Sequence, residues 1–278
     1  MRLGIFAKTF EGSEPGAVLA QVAAAGYGAA HFNMACCGLP AMPDAIAPEV
    51  AAGVARAARA AGVTIVGLSG TWNMIHPDTA VRDAGMRRLA VLAGACKAIG
   101  TGFITLCTGT RDPDDQWRAH PGNHAPDAYR DLLFSMERAV AIADQHGVDL
   151  GIEPELANVV DSAVKARRLI DNIGSPRLKI VLDAANLFEV ETAERRRAIV
   201  SHAVDLLADR IAMAHAKDRD ASGTFTAAGR GVIDFAHVFR ALRDAGFDGP
   251  VVTHGLTAAD APATAVFLSN AARQAGWQ

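Results

Sequence analysis

The chain has little of what marks several protein classes. Its 278 residues carry 27 basic and 30 acidic side chains, a formal net charge of −3. That leaves no basic excess or stripe with which to grip nucleic-acid phosphates. The arginine-rich pieces Arg167-Arg168 and Arg195-Arg196-Arg197 fall in helix-like segments with acids nearby, and they read as solvated faces. There are only four cysteines, Cys36, Cys37, Cys96 and Cys107, and none is in CxxC spacing. An adjacent pair such as Cys36-Cys37 makes a poor disulfide and a poor chelate, so all four read as reduced thiols of a cytoplasmic protein. No apolar run is long enough to span a bilayer, and the first residues, Met1–Phe6, read as a strand rather than a leader. No GxGxxG follows that first strand, which argues against an open dinucleotide-binding sheet.

What is present is apolar: half of the residues are hydrophobic, enough for one large core. Strand and helix signals alternate from end to end. Strands are predicted at Leu3–Ala7, Ala29–Asn33, Val63–Leu68, Phe103–Cys107, Asp149–Pro154, Leu178–Asp183, Arg210–His215 and Val251–His254. Helices are predicted at Glu14–Ala25, Ala47–Ala61, from Asp78 or Thr79 to Ile99, Asp127–His146, from Asp161 or Ser162 to Ile173, Glu191–Ala208, Phe235–Ala245 and Ala258–Ala275. Several end at a glycine suited to a C-cap, among them Gly26, Gly62, Gly100 and Gly147. Eight strand–helix pairs with continuously apolar strands predict a single α/β domain over residues 1–278, a (β/α)8 TIM barrel, with the active site at the C-terminal ends of the strands. The segment between Asp220 and Gly231 reads as a glycine-containing loop. Thr108–Pro126, the longest stretch without periodicity, reads as a functional loop or lid.

Four of the apolar runs end in a side chain able to bind metal. Leu150-Gly151-Ile152 leads to Glu153, Ile180-Val181-Leu182 to Asp183, Ile211–Ala214 to His215, and Pro250–Thr253 to His254. An acid or histidine at a single strand tip more often caps a helix or pairs with a lysine. Four of them on successive strands of a barrel converge on one rim. Two carboxylates and two imidazoles suit one divalent ion, from manganese, cobalt and iron to zinc and nickel. Such an ion chelates neighbouring oxygens of a polyol or hydroxy-ketone and acts as a Lewis acid on a carbonyl.

Other residues join the candidates. Glu155 lies two residues past Glu153, on the same side of an extended chain, and can orient His254 or Lys217 or act as a base. Lys217 has the same relation to His215; it can polarise a carbonyl oxygen, or simply pair with Glu155 or Asp218. His31, Asn33, Trp72, Asn73, His76, Trp117, His120 and His124 come from loops that face the same mouth, with Trp72 or Trp117 placed to wall a sugar ring. The bland reading of each aromatic is packing. Pro121-Gly122 separates His120 from His124 and argues against a second, helical metal pair.

The chain resembles the xylose-isomerase-like barrel superfamily of sugar-phosphate isomerases and epimerases, which also includes endonuclease IV. The resemblance rests on Ile152-Glu153-Pro154, Leu182-Asp183-Ala184-Ala185-Asn186, His215-Ala216-Lys217-Asp218 and the glycine motif Gly229-Arg230-Gly231-Val232-Ile233-Asp234-Phe235. It implies one catalytic divalent cation, commonly manganese, cobalt or magnesium, with Glu153 as ligand and acid/base and Asp183 and His215 as ligands. It also implies substrate contacts from Asn186, at a position where related enzymes often carry histidine, and from Arg230. In the epimerases of this family a second glutamate at the tip of strand eight completes the site. Here that tip is His254, which can ligate the metal or serve as the second acid/base.

The resulting expectation is a metal-dependent isomerase or epimerase of a small sugar, keto-sugar or related polyol. It has a small carbohydrate as its partner, binds no nucleic acid or membrane, and has alanine-rich helices compatible with a homo-oligomer. The missing glutamate admits a lyase or hydratase acting on an oxidised sugar or glycoside as the alternative. A non-catalytic carbohydrate-binding barrel is the lesser one. An endonuclease of the multi-zinc type fits poorly with the acidic balance.

Overall fold

The computed structural model describes residues 1–277. Eight parallel strands close into a barrel: β1 (Arg2–Phe6), β2 (Ala29–Phe32), β3 (Thr64–Ser69), β4 (Phe103–Leu106), β5 (Asp149–Ile152), β6 (Leu178–Asp183), β7 (Ile211–Ala216) and β8 (Pro250–Thr253). Each strand pairs with its chain neighbours, and β1 pairs with β8 to shut the ring. The helices that follow are α1 (Pro15–Ala24), α2 (Pro48–Ala61), α3 (Thr79–Ile99), α4 (Pro126–His146), α5 (Ala163–Ile173), α6 (Ala193–Leu207), α7 (Phe235–Asp244) and α8 (Ala261–Gln274).

The caps explain the boundaries. Glu14 accepts from Gly16 and Ala17 to start α1, Asp78 from Ala80 to start α3, and Ser162 from Lys165 to start α5. α2, α3, α4 and α5 all end at a glycine in the left-handed conformation. One feature departs from the sequence reading. The stretch read as a loop, Asp220 to Gly231, contains Phe225–Thr226, which pairs antiparallel with Asp218–Arg219 just before it to form a short hairpin. Strands of two residues leave no periodic signal.

Most of the apolar mass lies between the barrel and its helices, and a smaller cluster fills the barrel itself: Val181, Met213 and Val252, with Val66 and Phe103 packed against it. The Phe103 ring occupies the space opposite Gly151, where a Cβ would sit 2.3 Å from it. The four cysteines are free thiols. Arg167 pairs with Asp171 and Asp209, and Arg197 with Asp234, so these arginines of α5 and α6 are engaged with local acids. No helix among the described residues is long and apolar enough to cross a membrane.

Candidate active site

The interior cluster dictates which side chains reach the rim. On a strand, residues two apart point to the same side. Two positions past Val181 is Asp183, past Met213 is His215, past Val252 is His254, and past Gly151 is Glu153. By the same count Gly4 leads to Phe6, Ala29 to His31, Gly67 to Ser69 and Phe103 to Thr105. One side chain from each strand thus reaches the C-terminal end of the barrel. All but the fully buried Asp183 line a cavity of about 330 Å³, joined there by Thr71, Trp117, Glu155, Asn186, Lys217 and Phe225.

Glu153, Asp183, His215 and His254 each offer a ligand atom, and these atoms lie within 4.8 Å of one another. Two ligands on opposite sides of a divalent ion, each at about 2.1 Å, are separated by a similar span. Asp183 and His215 are register partners on β6 and β7. His254 Nε2 is 3.3 Å from Asp183 Oδ2, and His215 Nδ1 is 3.2 Å from Glu153 Oε2. His215 Nδ1 has only the Glu153 carboxylate beside it, and Nε2 is buried without a hydrogen bond. Leaving Nε2 so carries a desolvation penalty that ligation removes. The donor set and this orphaned nitrogen fit a divalent cation.

Neighbours hold the four in place. Asn186 follows β6 in a short turn that Asp183 caps through Ala185 N. Its Nδ2 donates to Glu153 Oε1 at 2.7 Å, and its Oδ1 accepts from Lys217 Nζ at 2.9 Å. Lys217 Nζ also lies 3.6 Å from Asp183 Oδ2 and 3.8 Å from the centre of the Phe225 ring. Neither Glu155 nor Asp218 is its partner. Asp218 instead accepts from the backbone of Arg219, Gly229, Gly231 and Ile233, pinning the glycine motif beneath the hairpin. Gly231 is obligatory there, since a Cβ would meet Arg219 O at 2.0 Å.

Electrostatics follow from burial and proximity. Burial works to raise Asp183, but Lys217 and His254 hold its carboxyl well below the ordinary range. Burial likewise opposes ionisation of Glu153 and His215, yet each stabilises the other's charge, so Glu153 is lowered and His215 raised. His254 is lowered by burial and by the charge of His215. His31 is lowered to about 3 by burial and by the two nearby imidazoles. It is thus a neutral ring, 3.0 Å from Thr105 Oγ1. Glu155 makes no side-chain hydrogen bond among the described residues; burial, then the charge of Glu153, pushes it up to about 7.

The other sequence candidates fall outside this cavity. Trp72 is buried, its indole set over Gly85 of α3, where a Cβ would come within 2.1 Å of Nε1. Asn73 donates to the carbonyls of Thr110 and Asp112 and accepts from Ile75 and Thr110, so it braces the long loop. His76 Nε2 bonds to Pro113 O at 2.9 Å. Arg230 turns to Asp260 at the start of α8. Asn33 caps the turn after β2, and His120 caps the one at Pro121–His124. Phe6, Ser69, Thr71, Thr105 and Phe225 line the cavity without having been singled out from sequence. The alternation that marked Glu153 and Asp183 marks Phe6, Ser69 and Thr105 as well.

The architecture is shared at low identity with two proteins named as sugar epimerases and with one solved with a zinc atom. The chain is similar to a 3-keto-D-glucoside 4-epimerase from E. coli in its apo form, with a TM-score of 0.77 and 15% identity over 97% of this chain and 99% of that one. It is similar to an L-ribulose 3-epimerase, with a TM-score of 0.77 and 17% identity over 99% and 95% of the two chains. A third likeness is the IolI protein with a binding zinc atom, with a TM-score of 0.73 and 15% identity over 99% of each chain. At such identities these likenesses establish the fold. The family model described as xylose isomerase-like TIM barrel matches residues 19–270, and the chain belongs to that family.

Proposed function

We propose that the protein is a divalent-metal-dependent isomerase or epimerase of a small sugar, keto-sugar or related polyol. The observation that carries this reading is the convergence of Glu153, Asp183, His215 and His254 within 4.8 Å at the floor of the cavity. When bound by these four side chains, the ion supplies Lewis-acid polarisation of a substrate carbonyl, which acidifies the neighbouring C–H.

The residues around it divide the rest of the work. Asn186 holds Glu153 from the side and fixes its orientation. Glu155, with no side-chain hydrogen bond among the described residues, is the carboxylate left to take a carbon-bound proton. Lys217, fixed by Asn186 and close to Asp183, offers a positioned ammonium to the oxygen that gains charge as that proton leaves. One mobile base suffices to carry a proton between adjacent carbons, which is isomerisation. Inversion at one carbon needs a second donor on the opposite face, a role open to His254 where Glu153, Asp183 and His215 hold the ion without it. His31, Trp117 and Asn186 are the lining residues suited to contact the sugar.

The test is a panel of ketoses and keto-sugars in deuterated water with manganese-loaded protein, followed by NMR. An isomer that differs from the substrate in mass only by the deuterium at the exchanged carbon supports the reading. Fragments or an unsaturated product overturn it in favour of β-elimination. That second reading draws on the tip of β8, where an imidazole leaves Glu153 and Glu155, both at the end of β5, as the carboxylates that line the cavity.

A further inference from the structure

The cavity does not end at its mouth. Trp117 lines it on one side and also lines an adjoining open groove of about 400 Å³ that runs along Trp72, His76 and the residues from Asp112 to Gln116. One indole, 48% exposed, is therefore the shared wall of both spaces. Its loop is built, not loose. Asp112 accepts from the backbone of Asp114 and Asp115 and from the Arg118 guanidinium, Asp115 accepts from Trp117 N, and Thr110 donates to Arg118 O. A fixed, exposed aromatic beside a small-molecule cavity is a platform for a flat apolar face, of the kind a sugar ring or an aryl group presents.

We propose that the substrate is a glycoside whose reacting ring, which bears the carbonyl, occupies the cavity above the four-ligand cluster and whose second ring rests on Trp117 in the adjoining groove. The inference rests on the sugar-transforming reading above and narrows its substrate class. Charge narrows the second unit as well. Asp112, Asp114 and Asp115 line the groove, and Arg118, which pairs with the first two, leaves Asp115 unneutralised. A phosphorylated or carboxylated unit is repelled there, so the second ring carries no anionic group.

The experiment is calorimetric titration of manganese-loaded protein with D-glucose, cellobiose and phenyl β-D-glucoside. Stacking of one added ring on an indole predicts affinity for the two glycosides about 10-fold above that for D-glucose. Trp117→Ala brings both glycosides down to the D-glucose level, and Trp117→Phe retains most of the preference. Equal affinities, a preference that survives Trp117→Ala, or no binding of any of the three overturns the inference. Deuterium exchange separates the two failures. Exchange on keto-monosaccharides as fast as on glycosides that bear a ketone on the reacting ring keeps the chemistry and removes the subsite. Absence of exchange on every sugar, with the Trp117-dependent binding preference intact, removes the chemistry and keeps the subsite.

Discussion

His254 and Asp183 meet 3.3 Å apart although their strands, β8 and β6, are separated in the barrel by β7. Their side chains reach across the position from which His215 rises, and the three close around a common point with Glu153. Such a cluster without a cation sets Asp183 and Glu153 against each other, and each raises the other's affinity for a proton or a positive ion. Loading with manganese is therefore expected to stabilise the protein by about 2.7 kcal/mol at a hundred-fold excess over the dissociation constant. Asp183→Asn abolishes that gain and the bound metal, and His254→Ala weakens both. Thermal unfolding with and without chelator, alongside elemental analysis, measures this. A wild-type melting temperature indifferent to chelator would sink the metal reading.

Asn186 joins two charged groups that would otherwise be oriented separately, Glu153 on its amide nitrogen and Lys217 on its oxygen. Asn186→Ala frees both and is expected to lower turnover or metal affinity by about 10–100-fold. Asn186→Asp is worse, because it places a carboxylate against Glu153. Lys217→Met removes the ammonium but no ligand, so turnover falls while metal stays bound. Lys217→Arg fails to rescue, since a planar guanidinium cannot take the place of a compact ammonium between Asn186 and the Phe225 ring. Steady-state rates with metal content determined on the same samples decide the point.

The barrel was legible because its signals are local. The run Ile180–Leu182 is apolar up to Asp183, and the strand spans Leu178–Asp183 as the sequence predicts. The convergence of Glu153, Asp183, His215 and His254 was legible for the same reason, since a barrel brings strand tips together whatever lies between them in sequence. What stayed hidden depends on side-chain direction in loops and on distant pairing. Trp72, Asn73 and His76 directly follow β3, but proximity to a strand tip does not say which way a loop side chain turns. Here Trp72 packs over Gly85, and Asn73 and His76 brace the segment from Thr110 to Pro113. Arg230 sits in the glycine motif, but its partner Asp260 lies thirty residues on, at the start of another helix. Phe225 reaches the cavity only because a two-residue strand folds back over Lys217 and Arg219.

Gly151 tests how far the barrel interior sets the site. It faces the interior immediately before Glu153, and a methyl group there would meet the Phe103 ring at 2.3 Å and Val181 at 2.8 Å. Neither neighbour has room to move in a filled barrel. Gly151→Ala is expected to destabilise the fold by about 1–3 kcal/mol through overpacking. It also displaces Glu153, so metal affinity falls with stability. The double variant Gly151→Ala with Phe103→Leu recovers part of both, because the shorter side chain leaves the space the methyl needs. Denaturant midpoints and metal titrations of the single and double variants measure the coupling. Unchanged metal affinity in a destabilised Gly151→Ala protein would separate the site from the packing beneath it.

The Trp117 loop carries its own acid sensitivity. Arg118 hydrogen-bonds Asp112 and, with the backbone of Asp114 and Asp115, holds its carboxyl well below the usual range. A carboxylate whose folded pKa is depressed contributes stability that is present above the unfolded value, near 3.9, and is lost as pH falls through the lower folded value. The loop is therefore expected to stay ordered through neutral and mildly acidic conditions and to loosen only below about pH 4. With Trp72 and Trp277 replaced by phenylalanine, Trp117 emission reports this directly, shifting to the red as the loop opens. Asp112→Asn shows the shifted emission already at pH 7, since an amide cannot pair with Arg118 as a carboxylate does. A single acid transition with the same midpoint in both proteins would mean that something other than Asp112 braces the loop.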